Sequence, residues 1–321
     1  MINFRFHIVS LIGIFLALAL GIVIGAGVID RGIVDTLDNR IDNVEAKADR
    51  IQLENDVLNA TVERDSATIE ALQPYVLVGR LTGEQVAFVA VRGVDDDRVA
   101  DSVVAARQAG ATVTGVLWIE SKWGSGGDDA KALATLVGDP SLRSSKLRTA
   151  AWDMVATRLA RPAVVTETPD PLTELESAGF VAYDEVDGGV PLSAFPGRNA
   201  LFVLVIGTNA DVASENLVMP AATAFSDSGL DLTIADAFVD LELGPARGDV
   251  FKDLRDSELS RTISTVDDLD LTQGPLTVML ALSDLTCVPP VVGHYGYGTD
   301  TRPLPEFATA CRGLVTSATA R

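Results

Sequence analysis

The run Gln85-Val86-Ala87-Phe88-Val89-Ala90-Val91-Arg92-Gly93-Val94-Asp95-Asp96-Asp97 decides the fold. After Gln85 its next six residues form a short apolar block, closed by Arg92 and Gly93, the pattern of a buried strand. The three aspartates suit a helix N-terminus, where unpaired backbone N–H groups favour carboxylates. Val99, Val103, Val104 and Ala106 continue at helical spacing until Gly110 stops them. The same alternation recurs downstream. Residues 111–119, 201–206 and 233–238 read as further strands, with helical patterns over 131–137, 147–159 and 216–225. A short strand over 262–266 leads to Asp267 and Asp268, and 275–285 reads as a closing helix. Strands alternating with helices imply right-handed crossovers and a parallel sheet, so residues 77–288 are expected to form an α/β domain of Rossmann-like or flavodoxin-like type. The tail, 289–321, starts at Pro289 and Pro290, is rich in glycine, and is expected to be irregular.

In such a sheet ligands bind at the carboxyl ends of strands. That position nominates Arg92, Gly207, Thr208, Asn209, Asp267 and Asp268 as cleft candidates. Each of these residue types also caps helices or forms turns, which is the competing explanation.

Upstream of this domain the apolar period changes. Leu37, Ile41, Val44, Ala48, Ile51, Leu58, Val62, Ile69, Leu72 and Val76 recur alternately three and four residues apart, with Asn55 and Asp65 at the remaining seam positions. That is a heptad repeat, and residues 30–76 are expected to form a long parallel coiled coil. Largely β-branched residues at one seam position and leucine at the other favour two strands, and a single seam Asn55 suits register selection. A lone amphipathic helix packed on its own domain is the alternative. Pro74 is expected to end the helix.

Still further upstream, residues 8–29 carry no charge, and Ser10 is their polar residue. At about 1.5 Å per residue the run can cross a hydrocarbon layer of about 30 Å. Residues 1–29 therefore read as a transmembrane signal anchor; a cleaved signal peptide, cut near Gly25-Ala26-Gly27, is the competitor. Arg5 and the terminal amine precede the span while Asp30 and Asp35 flank Arg31 after it, which puts the bulk of the protein outside the cytoplasm. Ala17, Gly21 and Gly25 stand at the small-residue spacing that lets membrane helices approach.

Composition narrows the function classes. Hydrophobic residues make up 47% of the 321 residues and aromatic ones 6%, so the core is built from aliphatic side chains. A formal net charge of -20 argues against nucleic acid, whose phosphates are bound by clustered Lys and Arg. No dinucleotide or phosphate-binding glycine loop, no nucleophile elbow, no paired-histidine zinc helix and no Cys-x-x-Cys is present, so an enzyme is not expected.

Beyond the membrane segment the chain has one histidine, His294, within Gly293-His294-Tyr295-Gly296-Tyr297-Gly298. The cysteines are Cys287 and Cys311. In an exported domain they can close the tail as a disulfide; alternatively Cys287, His294 and Cys311 offer the soft donors that Cu(I) prefers, so copper is a possible ligand.

Arg5-Phe6-His7-Ile8-Val9-Ser10-Leu11, followed by Phe15-Leu16-Ala17-Leu18-Ala19-Leu20-Gly21 and Gly25, resembles the N-terminal signature of the actinobacterial copper transporter family. Ser264-Thr265-Val266-Asp267-Asp268 and the late Gly293-His294-Tyr295-Gly296 before Leu304-Pro305 extend the similarity over nearly the whole chain. The resemblance implies an envelope protein of copper efflux or tolerance. One membrane helix supplies neither a helical bundle nor a barrel, so a pore would need self-association or partner envelope proteins. A scaffolding protein with a coiled-coil-dimerised binding domain is the second reading.

Overall fold

The computed structural model describes residues 4–161, 169–197, 199–239 and 246–306. Cys311 and the end of the expected tail lie outside them. The chain divides into two units, Met1–Asp65 and Ser66–Arg321.

Helix α1, Phe4–Leu77, is 74 residues long. Within it Phe4–Gly25 is the one segment among the described residues that is long and apolar enough to cross a membrane. Its large side chains, including Phe15 and Leu16, are exposed, as suits a surface solvated by lipid rather than by water. Further along, the seam residues Leu37, Ile41, Val44, Ile51, Leu58, Val62 and Leu72 are also exposed. The helix required for a coiled coil is thus present; its pairing is not shown by a single chain. The expectation that Pro74 ends the helix is corrected, since α1 runs three residues further to Leu77. Proline removes one donor, but the Val78 N–H closes the last turn onto the Pro74 carbonyl at 3.1 Å, and Leu77 is fully buried.

In the second unit β1 (Gln85–Val91) leads through α2 (Asp96–Gln108) to β2 (Thr112–Ile119). Asp95 caps α2, accepting the Asp97 N–H at 3.0 Å. Three helices follow, α3 (Gly127–Leu136), α4 (Ser144–Leu159) and α5 (Pro171–Ser177), and then β3 (Val181–Asp184). β4 (Ala200–Gly207), α6 (Val218–Asp227), β5 (Leu232–Ala237), α7 (Lys252–Arg255), β6 (Ser264–Val266), α8 (Gly274–Leu285) and β7 (His294–Tyr295) complete the unit.

The strands form one sheet in the order β3-β2-β1-β4-β5-β6-β7, parallel except for β3. Leaving out β3, this is the doubly wound order in which the second strand lies outside the first and later strands extend the other way. The strand order reverses between β1 and β4, which run parallel and whose residues are almost all fully buried. α2 packs with α8 and α4 with α6, covering the sheet.

Two strands depart from the sequence reading. β3 is a four-residue antiparallel edge strand with no apolar run of its own, and α5 before it was also not expected. β7 falls inside the tail expected to be irregular: its residues pair with Thr265 and Val266, so the sheet continues past the two prolines.

The few aromatic residues are concentrated rather than scattered. Trp123 meets Trp152 edge-on at 5.2 Å, Trp152 meets Phe225 at 6.3 Å, and Phe225 meets Phe202 at 5.1 Å. This chain of rings joins α4 and α6 to β4, and edge-on pairs add to the gain from burial.

Candidate functional site

Because the strands are parallel, their carboxyl ends share one rim, and all six cleft candidates lie along it. They fall into two groups. At the switch point, Arg92 follows β1 and lies over the Trp118 ring at 4.1 Å, with its Nη2 3.1 Å from Glu120 Oε1. Its carbonyl accepts the Asp211 N–H at 2.8 Å, tying the loop after β1 to the loop after β4. Thr208 Oγ1 accepts the Val239 N–H at 2.9 Å, linking the ends of β4 and β5. Gly207 is packed between the Ala237 carbonyl and Val94. Asn209 lies in the turn that approaches Gly93.

The second group lies at the ends of β5, β6 and β7. Asp267 is fully buried, and its Oδ1 accepts the Tyr297 N–H at 2.8 Å and the Gly298 N–H at 3.2 Å. Its Oδ2 accepts the Gly298 N–H at 3.1 Å and lies 4.0 Å from Arg255 Nη1. The loop after β7 is therefore wrapped around this carboxyl. Glycine is required there: Gly296 has φ +124, and a Cβ on it would sit 2.1 Å from Asp267 Oδ1. A Cβ on Gly298 would sit 2.5 Å from Oδ2.

Around Asp267 are residues that sequence reasoning missed. Arg247 grips both oxygens of Asp270 at 2.6 and 2.7 Å, donates to the Asp267 carbonyl at 2.7 Å, and stacks on Phe238 at 4.5 Å. Arg255 donates to the Gly248 carbonyl at 2.8 Å. Asp268 accepts from Gln273 at 3.3 Å through Oδ2, while its buried Oδ1 has no partner. Asp236, inside β5, is also buried. Sequence held one clue to it, an acidic residue within an otherwise compact strand; Arg247, Arg255 and Asp270 come from loops and a short helix and gave none.

Four carboxyl groups thus face two guanidinium groups. Burial pushes Asp236 up to about 7, helped by the negative charges of Asp270 and Asp267 and opposed by Arg247. Burial also pushes Asp268 to about 7, with Asp267 adding to the effect and the Gln273 hydrogen bond opposing it. For Asp267, burial raises the pKa, and the Tyr297 and Gly298 N–H groups oppose it ahead of the two arginines. The cluster balances its charge partly by holding protons, because ionising every carboxyl would leave buried negative charge unpaired.

His294 sits on β7 with its Nδ1 2.9 Å from Thr265 Oγ1 on β6. Burial first, then the Arg255 charge, lower its pKa, while a hydrogen bond with the Ser260 backbone raises it. Cys287, just past α8, is buried and disulfide-bonded, so its sulfur is not a free thiolate. Among the described residues no three His, Cys, Asp or Glu side chains converge as a metal-binding group.

The stretches 264–268 and 293–298 are therefore adjacent strands and their outgoing loops, locked together by Asp267. A family model described as "Copper transport outer membrane protein, MctB" matches residues 1–305. The chain belongs to the MctB family. It is 28% identical over 317 residues to the copper transporters MctB of Mycobacterium bovis and Mycobacterium tuberculosis, covering 93% of this chain and 97% of theirs. Its identity to the Mycobacterium leprae copper transporter MctB is 27% over 316 residues. The MctB match runs from the apolar N-terminal helix through the Asp267 latch, so both places that carried the resemblance lie inside it.

Proposed function

We propose that this chain serves copper efflux or copper tolerance in the cell envelope, acting as an oligomer. In this reading Phe4–Gly25 anchors the chain in a bilayer, the following helix pairs in parallel with a second copy, and the acidic α/β unit stands on the extracytoplasmic side. Membership of the MctB family over almost the full length carries the reading. Copper is cargo here, and the α/β unit is a binding and assembly body rather than an enzyme or a nucleic-acid binder. A single span cannot enclose a pore, so conduction requires several copies or envelope partners. The exposed seam supports the first of these.

The copper content of a deletion strain, with and without the full chain restored, tests transport. Accumulation reversed by the restored chain is expected; unchanged copper content and tolerance would sink the proposal. Pairing is tested separately by Leu58→Cys in membranes, which should yield a disulfide-linked dimer through like positions. A strictly monomeric product would refute the oligomer.

One observation favours a second reading, an envelope scaffold that is not itself a transporter. Most polar groups that join the two family stretches are spent on each other, Asp267 on Tyr297 and Gly298, Thr265 on His294, rather than turned toward a ligand. Loss of envelope integrity in the deletion strain with normal copper content would select it.

A further inference from the structure

The last turns of α1, which belong to the α/β unit, form a neck with two unlike sides. Gln73 and Leu77, four residues apart, face the rest of that unit: the Gln73 side chain donates to Gln108 of α2 at 2.9 Å, and Leu77 is fully buried. Leu72, Tyr75 and Val78 recur three residues apart and, at about 3.6 residues per turn, fall on the opposite side. They are 53%, 79% and 71% exposed. The Val78 N–H still bonds to the Pro74 carbonyl, so Val78 continues the helical face.

This side changes character along the helix. The heptad position of Tyr75 is polar in every preceding repeat, as Arg40, Lys47, Glu54, Thr61 and Thr68. The apolar seam therefore widens at the neck, and it widens with an aromatic residue. An exposed tyrosine between two exposed aliphatic side chains has the composition of an interface anchor rather than of a solvated helix surface.

Charge indicates the partner. With 45 Asp and Glu against 25 Lys and Arg, the chain repels a second copy over most of its surface. Residues 71–83 contain no acidic residue, so this repulsion is relieved at the neck, and a basic partner would find no carboxylates in the window to meet it. Leu72 and Val76 also hold the same two heptad positions as Leu58 and Val62, so a copy paired along the seam brings its own neck alongside.

We propose that Leu72, Tyr75 and Val78 form a twofold contact with the same face of a second copy, extending the interface beyond the seam positions, with Tyr75 as its anchor. The inference rests on the parallel pairing of α1 proposed above. A patch this small would not hold two free proteins together, but it needs only to close between chains already joined, at high effective concentration.

The test uses the full chain in membranes with two reporters, and the unsubstituted chain sets the background from its own cysteines. Val78→Cys treated with a short bis-maleimide reads the neck contact, and Leu58→Cys reads the seam. Both should link chain to chain. Adding Tyr75→Asp should lower the Val78→Cys link about tenfold while the Leu58→Cys link and the melting temperature stay unchanged. Tyr75→Ser, which adds no charge, should lower the same link if the aspartate disturbs the helix. A Leu58→Cys link without a Val78→Cys link, or a Val78→Cys link that neither Tyr75 variant weakens, would overturn the neck contact and leave the pairing standing. Absence of both links would overturn the pairing and the contact with it.

Discussion

The two halves of the carboxyl-end rim are built from similar residues and held in different ways. At the switch point Arg92 pairs with Glu120 through side chains that are 34% and 26% exposed, and loops meet through single backbone bonds. At the ends of β5 to β7 a fully buried carboxyl is clasped by a glycine loop and flanked by further acidic groups and two arginines. The first half can lose a contact and let water fill the gap. The second cannot, because any group removed leaves buried donors or charge behind. The difference teaches that the acidic half fixes the fold of the C-terminal strands, and that adjustable chemistry is to be sought at the switch-point half.

The largest effect should come from the glycine clasp around Asp267. Gly296→Ala forces an L-residue to φ +124 and a methyl group to within 2.1 Å of Oδ1, so the loop must leave the carboxyl. The expected loss is about 3 kcal/mol or more, lowering the melting temperature of the α/β unit by about 10 °C. Gly229→Ala is the control: φ is +66 and nothing lies within 4 Å, so it should cost only about 1 kcal/mol. Equal effects in calorimetric unfolding would mean that backbone conformation alone accounts for the glycines and that the latch contributes nothing.

What was legible in the sequence follows the same division. β1, β2, β4 and β5 announced themselves as mostly apolar runs and β6 as a shorter one, and the rim positions of Arg92, Gly207, Asp267 and Asp268 followed from where those runs stop. β3 and β7 did not, because four residues and two residues carry no period and become strands only by pairing with a neighbour. The heptad of α1 was legible as a pattern, and a single chain does not show whether it pairs. The glycines at 293, 296 and 298 were conspicuous, but the reason for the last two is a carboxyl some thirty residues earlier, and for Gly293 it is the Tyr295 side chain packed against it. Arg247 and Asp270 gave no signal, since a charged residue reads as solvated until the fold buries it.

The second effect is a pH dependence. Asp236 and Asp268 have their folded pKa raised to about 7, and Asp284 to about 6, against about 3.9 for an unfolded aspartate. The folded chain therefore holds more protons than the unfolded one between those values. The stability contributed by the neutral carboxyls is fully present below about pH 4 and is lost as pH rises through about 6 and 7. The melting temperature of the α/β unit should fall between pH 5 and pH 8. The high net negative charge of the chain contributes in the same direction, so Asp268→Asn is needed to isolate the cluster; it should visibly flatten the profile. A mutant profile parallel to that of wild type would assign the slope to general charge repulsion and erase this contrast between the halves.

The smallest effect belongs to the switch-point half. Arg92 stacks on Trp118 and meets Glu120 where solvent still reaches both side chains, so the pair is screened and its stack partly hydrated. Exposed ion pairs contribute about 0–1 kcal/mol and exposed cation–π contacts about 0.5–1 kcal/mol. Arg92→Ala should accordingly cost about 1 kcal/mol, and a double-mutant cycle with Glu120→Ala should give a coupling below that, shrinking further as salt is added. The Asp211 N–H reaches the Arg92 carbonyl rather than its side chain, so the loop connection between β1 and β4 survives the substitution. A coupling of about 3 kcal/mol, insensitive to salt, would place this pair in the same class as the Asp267 cluster. The rim would then be rigid from end to end, leaving no adjustable half in which a ligand could be accommodated.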